Sequence, residues 1–334
     1  MRSYIVSLLV LLCTHLMAQH QPLKKVEASS ISEVEVSSNI KSGKRILTVK
    51  FDPSGNQIMT GSLDKTLKSF KISDGTLLWS QTGAEFEPIS SVNLPSTNPL
   101  LISAQNQWAG GAIFLFNWAN GENLGKLSPY AGGRGAIDFF GAPGTSKVAW
   151  GGPDGKVFVF NFTKNALETS TGYPLHNGKI YSIAYGPYGN LFSAGQDGKV
   201  INRKSDGTTS TILTFEKPVL SMAMNPYIKG KQGNERFIAA GDNRGNFKVK
   251  NLGSGQIMYE ATVGDECKAV KFHPTDPDLL IAMSKQSLHL IDFRQNKELK
   301  KIDIDEVLWS LDVSMDGSKL AVGTESGQIK LYKF

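Results

Sequence analysis

The clearest alternation of apolar and polar positions lies between Ile46 and Ile72, in the stretch ILTVKFDPSGNQIMTGSLDKTLKSFKI. It predicts three short strands separated by two turns, because apolar residues recur at every second position within each run. Asp52-Pro53-Ser54-Gly55 is turn sequence, since Pro presets φ and Gly permits positive φ. A further turn at Ser73-Asp74-Gly75 leads into Thr76 to Trp79. Together these runs predict one antiparallel sheet of four strands.

The same pattern recurs along the rest of the chain. Clear copies of the first strand begin at residues 46, 89, 180, 219, 267 and 308, and a blurred copy begins near residue 136. The spacing centres on the roughly 40–45 residues of a propeller blade and fits no helical repeat. We therefore predict an all-β fold, a seven-bladed β-propeller of four-stranded antiparallel blades.

The last repeat ends at Phe334 with only three strands, and an isolated alternating run, Ile31 to Val36, precedes the first repeat. We expect this N-terminal strand to lie beside Gln328 to Lys333 and to complete the seventh blade. Such a closure ties the two ends of the ring together and removes an exposed sheet edge. Residues 19–334 are then a single propeller domain.

The first eighteen residues have the pattern of a secretory signal peptide. Arg2 supplies a positive start, Tyr4 to Leu12 is apolar, and Ala18 precedes Gln19 at the expected cleavage point. An uncleaved membrane anchor is the alternative, but the apolar run is shorter than the ~20 residues that a span needs. We expect an exported protein, periplasmic or extracellular, with no membrane span after cleavage.

The net charge and the cysteine content limit which binding partners and which disulfides are expected. The net charge is +6, and the basic residues do not form a stripe with interleaved aromatic residues, so nucleic acid is not an expected partner. After cleavage only Cys267 remains, which leaves no partner for an internal disulfide. Its position on a predicted inner strand favours a small buried apolar role.

Two features carry a resemblance to a known family. The inner strands follow the pattern apolar-x-Ser/Thr/Ala-apolar-x-apolar-x-Pro, and Asp ends similar short turns at Ser62-Leu63-Asp64, Gly152-Pro153-Asp154 and Gly195-Gln196-Asp197. On these features the chain resembles the WD40-repeat family over essentially everything after the signal segment. The Trp-Asp dipeptide of that family occurs in no blade, and Phe70-Lys71 and Ile291-Asp292 stand in its place.

The resemblance implies a shared hydrogen-bond network between a His before the inner strand and an Asp in the second turn. His176 and Asp197 match those positions in one blade, and Asp64 and Asp154 are interpreted as structural residues of the equivalent turns. A second resemblance, to quinoprotein-type propellers, rests on Ser73 to Trp79. It ranks lower, because the five tryptophans keep no fixed position in the blades.

Candidate chemistry is sparse. The residues at the starts of the inner strands carry mixed charges, which do not make a cage for a hard cation: Arg45, Glu87, Arg134, Lys179, Lys217, Glu266 and Asp305. The histidines outside the signal segment have no zinc-pair spacing, and neither a G-x-S-x-G nor a Walker sequence occurs. We predict no catalytic residues, metal or cofactor. The alternative is a metal- or cofactor-dependent propeller enzyme, either a hydrolase or a quinoprotein-like oxidoreductase.

The favoured function is therefore a non-enzymatic scaffold for protein–protein interaction. Its partner is an unidentified protein, and the chain alone is expected to be a monomer. The resemblance places the binding face at the residues around the start of each inner strand, where aromatic residues and Arg are typical of interaction hot spots. The candidates are Arg45, Phe86, Arg134, Tyr181, Lys217, Lys268 and Trp309. Two insertions, Asn106–Gly111 and Tyr227–Glu235, are further places where the blades depart from the repeat.

Overall fold

The computed structural model describes eleven parts of the chain. These are residues 25–33, 40–82, 89–93, 100–105, 112–127, 136–142, 145–163, 166–168, 172–186, 189–225 and 236–334. The signal segment, both insertions, Phe86 and Arg134 lie outside the described residues, as does the second half of the strand predicted at 31–36.

The first described elements lie ahead of the repeats. A single 3-10 turn, Ala28–Ser30, leads into β1 (Ser32–Glu33). The template repeat follows as a sheet of four consecutive antiparallel strands: β2 (Ile46–Phe51), β3 (Gln57–Ser62), β4 (Thr66–Lys71) and β5 (Leu77–Thr82). All four strands predicted from this stretch are present.

The first turn of the template is organised by one buried carboxylate. Asp52 accepts hydrogen bonds from the backbone N–H groups of Ser54, Asn56 and Gln57, at 3.0, 2.8 and 2.6 Å. Gly55 takes a φ of +69°, which a side chain would oppose. The Asp-Pro-Ser-Gly signature therefore builds this turn through side-chain hydrogen bonds and one left-handed residue.

The next two sheets are also built from consecutive strands. The second contains β6 (Ile89–Asn93), β7 (Leu100–Gln105), β8 (Ala112–Asn117) and β9 (Asn123–Leu127). The third contains β10 (Ala136–Ala142), β11 (Thr145–Gly151) and β12 (Lys156–Thr163), with β13 (Ala166–Glu168) and β14 (Gly172–Pro174) both paired to β12. The outer strand of this sheet is thus split into two short pieces.

Three further four-stranded sheets of consecutive strands follow. The first holds β15 (Ile180–Tyr185), β16 (Leu191–Gly195), β17 (Lys199–Arg203) and β18 (Thr209–Thr214). The second holds β19 (Val219–Met224), β20 (Phe237–Asp242), β21 (Asn246–Asn251) and β22 (Ile257–Thr262). The third holds β23 (Ala269–Phe272), β24 (Leu279–Met283), β25 (Ser287–Asp292) and β26 (Lys297–Asp303).

The last strands of the chain are β27 (Leu308–Val313), β28 (Lys319–Thr324) and β29 (Ile329–Lys333). They form a sheet in the order β1-β29-β28-β27. In the β1–β29 pair, Ser32 lies opposite Lys333 and Glu33 lies opposite Tyr332. The described part of the N-terminal segment therefore pairs with the C-terminal strand.

The sheets are arranged as a β-propeller. The first strand of each sheet contacts the first strand of the next, and β27 contacts β2. Buried apolar side chains fill the spaces between neighbouring sheets; one such cluster joins β3 and β4 to Phe114 and Phe116, and another joins the sheets that contain β20 and β24. Burial of apolar surface between the blades is the main stabilising term of this architecture.

The small residue in the inner-strand pattern has a structural reason. Ser182, Ser221 and Ser310 each donate a hydroxyl hydrogen bond to a backbone carbonyl of the following blade, at 3.4, 3.5 and 3.2 Å. The acceptors are Met222, Cys267 and Ile46. A larger side chain would hold the inner strands too far apart for these bonds, so the Ser/Thr/Ala position sets the blade spacing.

Cys267 lies in the interior between two blades. Its side chain is fully buried, and burial raises the pKa of the thiol. A Cβ atom on Gly241 would come within 2.3 Å of Cys267 Sγ, so the glycine is required by close packing. The predicted burial is confirmed, but the predicted position is wrong, because Cys267 lies two residues before β23.

Candidate partner-binding face

The face under consideration is the end of the propeller at which the inner strands begin, here called the upper face. The turn between the second and third strands of a blade lies on the same face, because its backbone is hydrogen-bonded to the segment just before the inner strand. Leu63 N–H donates to Arg45 O at 2.9 Å, and Glu325 N–H donates to Val307 O at 2.8 Å. Residues from two separate parts of the blade therefore meet there in these two blades.

One such meeting is a buried network around His176. Its Nδ1 lies 2.8 Å from Asp197 Oδ1, and its Nε2 lies 2.8 Å from Ser193 Oγ. Partial burial disfavours the charge of Asp197, but the hydrogen bond to His176 holds the pKa of Asp197 below its usual range. Asp197 also accepts the backbone N–H of Asn177 at 3.2 Å. The network ties the turn to the segment before the inner strand, which is a structural task.

Asp64 and Asp154 occupy the equivalent turns of other blades. Asp64 accepts hydrogen bonds from the backbone and hydroxyl of Thr66, and Lys68 lies 3.6 Å away. Asp154 accepts the backbone N–H of Lys156 at 3.2 Å and forms an ion pair with the same side chain at 3.0 Å. Both carboxylates serve their own turns.

Three of the seven predicted partner-binding residues come together in one place, where the last blade meets its two neighbours. Arg45 Cζ and Lys268 Nζ each lie 4.1 Å from the ring centroid of Trp309. Glu325 completes the group: it accepts bidentate hydrogen bonds from Arg45 at 2.8 and 2.7 Å and one from Trp309 Nε1 at 2.6 Å. These four residues are called the cation–tryptophan cluster below.

The electrostatics of the cation–tryptophan cluster favour an ionised carboxylate. The hydrogen bond from Arg45 holds the pKa of Glu325 below its usual range, and Trp309 adds to this effect. Burial lowers the pKa of Lys268, whose ammonium also donates to Leu308 O at 3.2 Å and lies 3.6 Å from Glu266. The side chains of Arg45 and Glu325 are 27% and 43% exposed, so solvent reaches this ion pair, whereas the Lys268 side chain is only 10% exposed.

The remaining predicted residues do not join this cluster. Tyr181 is half-buried, with Lys179 Nζ 5.0 Å from its ring centroid, and Lys217 is exposed. Phe86 and Arg134 lie outside the described residues. Sequence reasoning missed Glu325, because it lies in the turn between the second and third strands and the prediction considered only residues near the inner strands.

A second hydrogen-bond network is relevant to the alternative that the protein is an enzyme. Ser287 Oγ lies 2.8 Å from His289 Nε2, and His289 Nδ1 lies 2.9 Å from Glu298 Oε2, which is the connectivity of a nucleophile, a base and an acid. Ser287 and His289 are each only 6% exposed, and Ser284 Oγ lies 2.6 Å from the Ser287 hydroxyl. Because the Ser287 hydroxyl is buried, a substrate carbonyl cannot reach it, and we interpret these hydrogen bonds as structural.

Two observations concern metals and membranes. Within the described ranges, no group of three or more His, Cys, Asp or Glu side chains is arranged to hold a metal ion. In the same ranges, no helix has the length and apolar character needed to cross a membrane.

Comparison with known proteins agrees with this architecture. The family described as "WD domain, G-beta repeat" matches residues 36–71 and 168–201, which include β2 to β4 and the His176–Asp197 network. The transcriptional corepressor LEUNIG_HOMOLOG of Arabidopsis thaliana is 20% identical over 313 residues, 93% of this chain. The matched region is 32% of that protein, so the chain spans about a third of its length.

The repeat matches fall on the two blades whose turn signatures are clearest in the sequence, and the relative aligns with almost the whole ring of sheets. The inner strands are in contact around a common centre, and two of the sheets match the WD40 repeat. The chain is therefore a β-propeller that carries WD40-type repeats.

Proposed function

We propose that this protein is an exported, non-enzymatic scaffold that binds a protein partner on its upper face. WD40 propellers typically serve as protein-interaction scaffolds. The observation that carries the proposal is the cation–tryptophan cluster. It gathers Arg45, Lys268 and Trp309, residue types suited to an interaction hot spot, on an accessible surface.

The proposal includes a seven-bladed ring in which the N-terminal strand completes the last blade. Support comes from the pairing of β1 with β29 and from the burial of Val26 and Ile31 in the apolar cluster of the last two blades. Lys25 adds hydrogen bonds to Asp278 and Asp292 at 3.1 and 2.9 Å. Such a closure gives the partner a rigid platform.

Export is proposed from the leader alone. Arg2, the apolar run Tyr4 to Leu12 and Ala18 support it. The test is expression of the full chain in a secreting host, followed by N-terminal sequencing of the protein recovered outside the cytoplasm. A mature protein beginning at Gln19 supports export, and a protein retained in the cytoplasm with Met1 intact contradicts it.

The binding role is tested by affinity capture from the native envelope or medium. The wild type is compared with a variant that carries Arg45→Ser, Lys268→Ser and Trp309→Ala. A control variant carries Leu77→Ala, Ile257→Ala and Met315→Ala, which are exposed apolar residues outside the upper face. Melting curves verify that both variants are folded.

We expect the wild type and the control variant to capture the same proteins and the cluster variant to lose them. Equal capture by all three proteins would reject the upper face as the binding site. Metal analysis of the purified wild type addresses the enzyme alternative, since a stoichiometric metal or a bound chromophore would favour it over the scaffold.

A further inference from the structure

The cation–tryptophan cluster already holds a carboxylate, which accepts hydrogen bonds from Arg45 and Trp309. Both oxygens of Glu325 are engaged: Oε1 by Arg45 Nη2, and Oε2 by Arg45 Nε and Trp309 Nε1. A bidentate Arg–carboxylate pair is among the strongest hydrogen-bonded arrangements in proteins. The group is therefore a formed carboxylate socket with a resident occupant.

The occupant and the socket are attached differently. Glu325 belongs to the turn between β28 and β29, and its side chain extends from an exposed residue. Arg45 and Lys268 each lie 4.1 Å from the ring centroid of a tryptophan that belongs to β27, so three blades position the socket. Withdrawal of Glu325 requires only a side-chain rotation, while the socket stays in place.

We propose, on the basis of the scaffold function above, that the partner presents an acidic side chain to this socket and displaces Glu325. Glu325 then acts as an internal competitor that lowers the affinity for acidic partners and keeps the socket occupied when no partner is bound. Arg favours this role because its planar fork matches a carboxylate, and Lys268 supplies a second positive charge beside the same ring.

The acidic residues next to the socket determine which acidic segments it can bind. Glu266 lies 3.6 Å from Lys268, and Glu306 accepts the Ser326 hydroxyl at 2.8 Å, so acidic groups border the socket. A partner with one or two acidic side chains in an otherwise neutral segment fits this border. A continuous acidic run would be repelled by Glu266 and Glu306.

The proposal is tested with a fluorescein-labelled octapeptide that carries one Glu among Gly and Ser residues, and with the same peptide carrying Gln. Binding is measured by fluorescence anisotropy on the wild type, Glu325→Gln, and the double variant Glu325→Gln with Arg45→Gln. Lys199→Gln is the matched control, because Lys199 is an exposed lysine at the start of β17, next to the turn on the same face, and it lies outside the cluster.

We expect Glu325→Gln to bind the Glu peptide about tenfold more tightly than the wild type, because the internal competitor is gone. The double variant and the Gln peptide should lose this gain, and Lys199→Gln should match the wild type. Unchanged affinity in Glu325→Gln, or equal binding of the Glu and Gln peptides, would overturn the proposal.

The two proposals fail in different ways. If the acidic socket is wrong but the scaffold function is right, the cluster variant still loses its captured partner, while Glu325→Gln captures no more of it than the wild type. If the scaffold function on this face is wrong, capture is unchanged in the cluster variant. Increased capture of the natural partner by Glu325→Gln supports both.

Discussion

The His176 network and the cation–tryptophan cluster occupy comparable places in two blades, yet they do opposite things. Each joins the segment at the start of an inner strand to the turn between the second and third strands. In the first, His176 and Ser193 are buried, and the hydrogen bonds are satisfied within the blade. In the second, charged groups from three blades surround a half-buried tryptophan, and the Glu325 side chain is 43% exposed. The position in the blade is therefore shared, but the first network is satisfied within its blade, whereas the second is the proposed partner site.

The largest loss of stability should follow removal of the N-terminal segment. This deletion tests whether the last blade, which contains the cation–tryptophan cluster, needs that segment in order to be stable. Deletion of residues 19–39 removes β1, exposes the surface covered by Val26 and Ile31, and leaves Asp276 and Asp292 without Lys25. We expect a loss of at least about 4 kcal/mol in the free energy of unfolding, from the two buried side chains alone.

Urea denaturation measures this loss, and the Lys25→Ala single variant is the control. Lys25→Ala keeps the strand and its apolar contacts, so its loss should be clearly smaller. If the deletion variant has the same free energy of unfolding as the wild type, the N-terminal strand does not close the ring.

A smaller but still large effect is expected for His176→Ala. The substitution leaves Asp197 and Ser193 without their main partner in a largely buried site. Leaving buried polar groups unsatisfied costs about 2–3 kcal/mol. Urea denaturation measures the loss, and partner capture should be unchanged because the network lies away from the cation–tryptophan cluster. A stability equal to that of the wild type would show that the network is dispensable.

Trp309→Ala should show the reverse behaviour. The Trp309 side chain is only half-buried, so its loss should cost about 1 kcal/mol of stability, while partner capture should be lost. Denaturation and capture are measured on the same preparation. A Trp309→Ala protein that is strongly destabilised would place Trp309 with the His176 network, as a residue of the fold.

The smallest effect is a dependence of stability on pH. The folded-state pKa of Asp197 is lowered, so its contribution to stability is fully present above the unfolded value near 3.8 and is lost as the pH falls below it. Between pH 5 and pH 3 the wild type should therefore lose more stability than His176→Ala, in which the hydrogen bond is absent. Parallel curves for the two proteins would contradict this assignment.

Much of the fold could be predicted from the sequence, because the relevant interactions are local. The Asp52-Pro53-Ser54-Gly55 turn is formed by hydrogen bonds within six residues, and strand alternation follows from the two faces of a sheet. The His176–Asp197 pair was predictable for a different reason. It matched a family pattern, and the structure places the two side chains 2.8 Å apart.

The candidate site was predictable only in part. Aromatic and basic residues near the inner strands pointed to Arg45, Lys268 and Trp309 separately, but nothing in their spacing indicated that they would meet around one ring. Glu325 is 280 residues from Arg45 in the chain, and the hydrogen bond between them exists only because the last blade lies beside the first. Lys25 and Asp292 are likewise 267 residues apart, and they meet because the N-terminal segment packs against the last two blades.

The sequence by itself determined the repeat, the turn chemistry and the alternation of buried and exposed strand positions, since each depends on contacts within one blade. Only the tertiary structure decided which blades become neighbours across the two chain ends, and hence that a tryptophan, two cations and a carboxylate form one socket. The physical reason is that this socket depends on the closure of the ring, and closure is a property of all the blades together.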